Sequence, residues 1–111
     1  MATLSSHLLN SLNGKHANDV NVIIYQIKSN GERKIFCETK TDNDGRILKE
    51  FELNDEDCKS EYEMVCKTGD YFSKKKIVSE ITVKFKMTDP NKKYHIPIII
   101  SPNGYSIWWS D

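Results

Sequence analysis

The stretch from Tyr94 to Tyr105, YHIPIIISPNGY, is the most apolar run of an otherwise polar sequence. Isoleucine stands at every second position of its first half: Ile96, Ile98 and Ile100. Pro97 and a further isoleucine lie between them, which indicates a strand buried on both faces or lying at an interface. The SPNG cluster predicts a tight turn, so residues 93–101 and 104–110 are expected to form a hairpin. Because Pro97 has no N–H, its strand should have a free edge or a bulge there.

Length and charge limit what the chain can be. Its 111 residues are expected to form a single domain, residues 1–111, with one hydrophobic core. Sixteen basic and sixteen acidic residues give a formal net charge of zero, which argues against a nucleic acid or an anionic membrane as a partner. No apolar run approaches the roughly 20 residues of a membrane span. Neither a secretory signal nor a peroxisomal address is recognisable, so a cytoplasmic location is expected.

Short alternating segments separated by turns follow one another along the chain, which predicts an antiparallel all-β sandwich. The expected strand segments are residues 3–9, 20–28, 33–41, 46–53, 61–68, 81–88, 93–101 and 104–110. Residues 54–60 are acidic and are predicted to be irregular. Residues 70–76 are predicted to form one or two helical turns, with Asp70 as the cap.

Three histidines and one arginine are the candidate chemical groups. His7 and His95 each lie on a strand-like segment, so they either share one site or are separate surface residues. His16 lies in a polar loop and is interpreted as a solvated surface residue. Arg46 follows a tight turn and is either another surface residue or a fixed cation for a planar, oxygen-rich anion. The histidines and the three cysteines lack the spacing of zinc ligands, so no metal site is predicted.

Four segments, in this order, carry a resemblance to a known family. They are LSSHLLN at residues 4–10 with Gly14, TDNDGR at 41–46, ITVKF at 81–85, and YHIPIIISPNGYS at 94–106. They resemble the signatures of the transthyretin-like family, whose enzymatic members are 5-hydroxyisourate hydrolases and whose non-enzymatic members carry thyroid hormone. The resemblance covers essentially the whole chain.

The resemblance implies an all-β, transthyretin-like antiparallel β-sandwich of two four-stranded sheets with one short helix. It also implies a homotetramer, built as a dimer of dimers, in which the final hairpin lines a channel. An interface there would account for apolar side chains that are too many for one small core. These are Ile98, Ile100, Ile107, Trp108 and Trp109.

The same resemblance implies a set of catalytic residues. In the hydrolases, two histidines and an arginine converge on the channel, and they match His7, Arg46 and His95 in this sequence. The carriers lack this trio, so its presence favours hydrolysis of 5-hydroxyisourate to 2-oxo-4-hydroxy-4-carboxy-5-ureidoimidazoline in urate degradation. One imidazole would activate water against a ring amide carbonyl, and Arg46 would stabilise charge on the oxygen. The other would orient the water or protonate the leaving nitrogen. The resemblance implies no cofactor and leaves open which histidine is the base.

The end of the chain departs from the family pattern, since the hydrolases end in Tyr-Arg-Gly-Ser. This chain has Trp108, Trp109, Ser110 and Asp111 there, and with Ser101 these are the expected substrate-binding residues. Ser110 or Asp111 can replace part of the lost polar contacts, or the indoles can stack on a different planar heterocycle. The alternative function is a non-catalytic binding or carrier protein for a small aromatic ligand.

Two loops depart from the family pattern as well. Residues 14–18, GKHAN, lack the proline that the family usually carries, and residues 73–79 are rich in lysine. Neither loop is expected to touch the proposed site.

Overall fold

Two β-sheets enclose the apolar side chains in the computed structural model, which describes residues 1–73 and 77–108. The strands are β1 (Ala2–Asn10), β2 (Lys15–His16), β3 (Asn21–Ile27), β4 (Arg33–Lys40), β5 (Arg46–Phe51), β6 (Glu61–Cys66), β7 (Ile81–Lys86), β8 (Lys93–Ser101) and β9 (Gly104–Ile107). The helices are α1 (Asp55–Lys59) and α2 (Thr68–Tyr71). This mainly β architecture confirms the predicted fold class.

The first sheet has the order β2-β1-β8-β9, with β5 also paired to β1, and the second has the order β4-β3-β6-β7. The first sheet therefore has five strands among the described residues, one more than expected, because the two-residue strand β2 adds to the end of β1. Within residues 1–73 and 77–108, all strand pairs are antiparallel except β1 with β8, which run parallel. The parallel pair joins the first strand of the chain to a strand near its end.

Alternation along the strands builds the core. Every second residue of β1 is buried, and Leu4 and Leu8 pack in one cluster with side chains of the second sheet such as Ile24. Ile98 and Ile100 are fully buried in this core, so neither is free for an interface. Ile107 and Trp108, by contrast, are 40 % and 45 % exposed, while Trp109 lies outside the described residues. The expected surplus of apolar side chains is thus confined to the end of the hairpin.

The position of Pro97 in the sheet fits its missing N–H. On one side it is opposite His7 of β1. On the other side the ladder to β9 ends with the pair Ile98 and Ile107, so Pro97 lies beyond the last pair of that ladder. The missing N–H of Pro97 therefore interrupts no pairing with β9 among the described residues, and the predicted free edge is confirmed.

The helices differ from the prediction. Residues 55–59 form a helix instead of an irregular segment, because Asn54 and Asp57 make reciprocal side-chain to backbone hydrogen bonds of 2.8 and 3.1 Å. The second helix begins at Thr68, so Asp70 lies inside it and is not its cap. Residues 74–76 of the predicted segment lie outside the described part of the chain. Neither helix, nor any other within the described residues, is long and apolar enough to cross a membrane.

Candidate active site

Strand register places the predicted trio on one face of the first sheet. His7 of β1 lies directly opposite Arg46 of β5, and Ser5 of β1 lies directly opposite His95 of β8. Ser5 and His7 are two positions apart, so their side chains point to the same face, and directly paired residues share that face. The two imidazoles and the guanidinium therefore all project from the side of the sheet that faces away from the core.

A hollow of about 310 Å³ opens on this face. Its lining consists of Ser5, Ser6, Arg46, Ile47, Leu48 and His95. Arg46 and His95 thus share one hollow, and His7 adjoins it through its pairing with Arg46. The hollow combines one fixed cation, one imidazole and two serines with an exposed leucine, which suits a small, flat, polar molecule.

The pKa of His7 is lowered from its ordinary value of 6.5. Burial is the main cause, followed by the positive charge of Arg46 and then by His16, with His95 the weakest contribution. A hydrogen bond with the backbone of Asp44 acts in the opposite direction. His7 is therefore neutral at physiological pH, which leaves Arg46 as the permanent cation beside it.

Ser5 holds the second imidazole. Its Oγ lies 2.8 Å from Nδ1 of His95. Nε2 of His95 has no hydrogen-bond partner among the described residues, so it is available to a ligand in the hollow. If His95 donates its Nδ1 proton to Ser5, Nε2 carries a free lone pair and can accept a proton from water.

The backbone of Leu8 makes hydrogen bonds to two different segments along the same edge of β1. Its N–H donates to Gly45 O at 2.8 Å just before β5, and its carbonyl accepts from Ala17 N at 2.9 Å just after β2. Gly45 has a φ of +70°, and a Cβ there would lie 2.6 Å from Leu8 O. Only glycine fits this close approach. The junction fixes His7 between Arg46 on one side and His16 on the other.

His16 is exposed, as predicted, but the expectation that its loop does not touch the proposed site is wrong. Its Nδ1 lies 2.9 Å from Nε2 of His7, and the two rings stack with centroids 5.0 Å apart. The contact arises because His16 pairs with Leu9 across the β1–β2 hairpin. Gly14, with a φ of +73°, closes that hairpin, and this turn glycine is the sequence signal that could have indicated the contact.

Of the expected substrate-binding residues, Ser101 and Trp108 lie apart from the trio within one chain. Ser101 Oγ donates to Gly104 O at 3.0 Å inside the β8–β9 turn. Trp108 lines a separate apolar hollow of about 260 Å³ together with Phe85, Ile96 and Ile107, among others. The remaining members of the predicted set, Trp109, Ser110 and Asp111, lie outside the described residues.

Metal-binding side chains do not gather in the described ranges, 1–73 and 77–108. No group of three or more histidine, cysteine, aspartate or glutamate residues there could hold a metal ion.

Comparison with proteins of known sequence gives consistent matches. A 5-hydroxyisourate hydrolase of Halalkalibacterium halodurans is 30% identical over 112 residues, covering 95% of this chain and 94% of the relative. The 5-hydroxyisourate hydrolase of Salmonella dublin is 37% identical over 108 residues, covering 95% of this chain and 78% of the relative.

Solved structures agree in fold. The Klebsiella pneumoniae 5-hydroxyisourate hydrolase matches with a TM-score of 0.77 and 22% identity over the full length of both chains. A crystal structure of (S)-allantoin synthase matches with a TM-score of 0.83 and 22% identity, covering 99% of this chain and 44% of the other. The sequence model of the HIUase/Transthyretin family matches residues 4–109. The resemblance noted in the sequence is thereby confirmed, and the chain belongs to the HIUase/transthyretin family.

Proposed function

We propose that this chain hydrolyses 5-hydroxyisourate to 2-oxo-4-hydroxy-4-carboxy-5-ureidoimidazoline, a step of urate degradation. The observation that carries the proposal is that His7, Arg46 and His95 lie on one face of the first sheet, where Arg46 and His95 line one hollow and His7 adjoins it. The hydrolase relatives support the same reaction.

His95 is assigned as the general base. With its Nδ1 proton donated to Ser5, its Nε2 accepts a proton as water forms a bond to the ring amide carbonyl. The carbonyl oxygen gains negative charge, which Arg46 stabilises across the hollow. When the carbon–nitrogen bond breaks, the protonated His95 returns the proton to the leaving nitrogen. The imidazole is then neutral again, and the ring is open.

His7 is assigned as a neutral hydrogen-bond donor beside Arg46. Its lowered pKa keeps His7 uncharged. It can therefore donate a hydrogen bond to a substrate oxygen, whereas a second cation would also hold an anion. The three members of the trio therefore act differently on the substrate. His95 transfers the proton, Arg46 stabilises the developing charge, and His7 orients the substrate.

The domain, assembly and location belong to the same proposal. We take residues 1–111 as one domain that forms a homotetramer, a dimer of dimers, in the cytoplasm. The exposed Ile107 and Trp108 at the end of the hairpin supply apolar surface for such an assembly. Ser101 and residues 108–111 would then contact the substrate from the channel between subunits.

A second candidate is a carrier for a small aromatic ligand. The apolar hollow beside Trp108, about 260 Å³ in volume, is the observation that favours it. A carrier of this kind would bind an aromatic compound, quench the tryptophan fluorescence and leave 5-hydroxyisourate unchanged.

The deciding experiment follows the ultraviolet absorbance of freshly made 5-hydroxyisourate. The wild-type protein should accelerate its loss, and His95→Ala and Arg46→Glu should each abolish the acceleration. Lys34→Gln, which removes a cation from the second sheet, should match the wild type. No acceleration by a folded wild-type protein would overturn the hydrolase proposal and favour the carrier.

A further inference from the structure

A second histidine contacts His7 from outside the predicted trio. Nδ1 of His16 lies 2.9 Å from Nε2 of His7, and the rings stack at an interplanar angle of 30°. His16 lies in residues 14–18, GKHAN, which lack the proline that the resembled family usually carries.

The direction of the hydrogen bond follows from the other partner of His7. A neutral imidazole has one N–H and one bare nitrogen. The bond with the backbone of Asp44 raises the pKa of His7, so His7 acts as the donor there. Since Nε2 faces His16, the donor to Asp44 is Nδ1. Nε2 is then the bare nitrogen, and it accepts the Nδ1 proton of His16.

We propose that His16 is a positioning residue that fixes the ring orientation of His7 and keeps its proton on Nδ1. Nδ1–H is then the donor that a substrate oxygen can engage in place of the Asp44 carbonyl. The importance of this tautomer for turnover rests on the proposed function, whereas the pairing of the two histidines does not.

The pKa of His7 should also respond to His16. The charge of His16 is the third cause of the lowered pKa of His7, after burial and Arg46. The other charged and titratable groups facing His7 are Arg46 on β5, His95 on β8 and Asp42 in the turn before β5. Removing the ring of His16 should therefore raise the pKa of His7.

Nuclear magnetic resonance of ¹⁵N-histidine-labelled protein tests the pairing without substrate. In the wild type, neutral His7 should be protonated on Nδ1. His16→Ala should give a mixture of His7 tautomers and should raise the pKa of His7. His16→Asn places an amide N–H near the position of Nδ1, so it should keep the tautomer.

Lys15→Ala is the matched control, because Lys15 is the exposed neighbour of His16 on β2. It should leave both the tautomer and the pKa of His7 unchanged. If His16→Ala also leaves them unchanged, the proposed pairing is wrong.

Turnover supplies the second readout. His16→Ala should lower kcat about tenfold with little change in KM, and His16→Asn should recover most of the loss. An altered tautomer with an unchanged kcat would overturn the role of His16 in the reaction. A wild-type protein that does not hydrolyse 5-hydroxyisourate would refute the proposed function, yet the spectra would still decide whether His16 positions His7.

Discussion

His7 lies directly opposite Arg46 in the ladder between β1 and β5. Directly opposed side chains on one face of an antiparallel pair lie about 5 Å apart at Cβ, so the guanidinium acts on the imidazole at short range. Its positive charge is the second cause of the lowered pKa of His7, after burial. The pairing thus creates a neutral donor and a permanent cation side by side.

Arg46→Gln should lower kcat about 10²- to 10³-fold, because the oxyanion loses its charged donor. The pKa of His7 should rise in the same variant, since a positive charge beside it is gone. Steady-state kinetics and histidine titration check the two effects on one sample. Lys34→Gln, the same charge change on β4, should alter neither kcat nor the pKa of His7. A fully active Arg46→Gln would contradict the role of Arg46 as the charged donor to the oxyanion.

Ser5→Ala should lower kcat about tenfold, because Nδ1 of His95 loses the partner that sets its orientation. Ser5→Thr keeps a hydroxyl on the same strand position and should restore most of the activity. Ser106→Ala, an exposed hydroxyl on β9, serves as the control. Equal kcat values for Ser5→Ala and Ser5→Thr would show that the hydroxyl does not position His95.

The lowered pKa of His7 predicts a dependence of stability on pH. The unfolded chain takes up this proton near pH 6.5 and the folded chain only at lower pH, so the unfolded state binds more protons within that window. The free energy of unfolding should therefore fall as the pH decreases from 6.5 through the folded pKa. Urea unfolding at pH 7.5 and 5 measures this decrease in the free energy of unfolding. In His7→Asn, the part of the decrease that comes from His7 should be absent.

Gly45→Ala should destabilise the fold by about 3 kcal/mol or more. Its φ of +70° strains any other residue, and the added Cβ would lie 2.6 Å from Leu8 O. Gly31→Ala is the matched control, since Gly31 has a φ of +91° but nothing within 4 Å of a Cβ, and it should cost only about 1–2 kcal/mol. Equal midpoints of urea unfolding for the two variants would contradict the close approach at Leu8.

Much of the fold was predictable because the alternation of apolar and polar residues along a strand is a local property of the sequence. The strand containing Ile81 and the hairpin around the SPNG turn were located within a few residues from their patterns alone. Helix α1 was missed because its five residues are too few to show a helical period. Its capping box uses Asn54 and Asp57, and aspartate in place of glutamate or glutamine at the second position weakens the usual signature.

Local sequence patterns predicted less of the site than of the fold. His7 and His95 come together through a parallel register that joins strands about 90 residues apart, and only the family resemblance indicated it. The contact of His16 with His7 was missed for a different reason. It depends on a two-residue strand, β2, which is too short for any alternation to reveal.

The parallel pairing of β1 with β8 has a consequence for synthesis. Ser5 and His95 are separated by 90 positions, so β1 leaves the ribosome long before its central neighbour exists. Until then one side of β1 is an open edge, able to pair with another nascent chain. The hollow that Arg46 and His95 line can form only after β8 has been translated, so a product that ends before β8 would lack it.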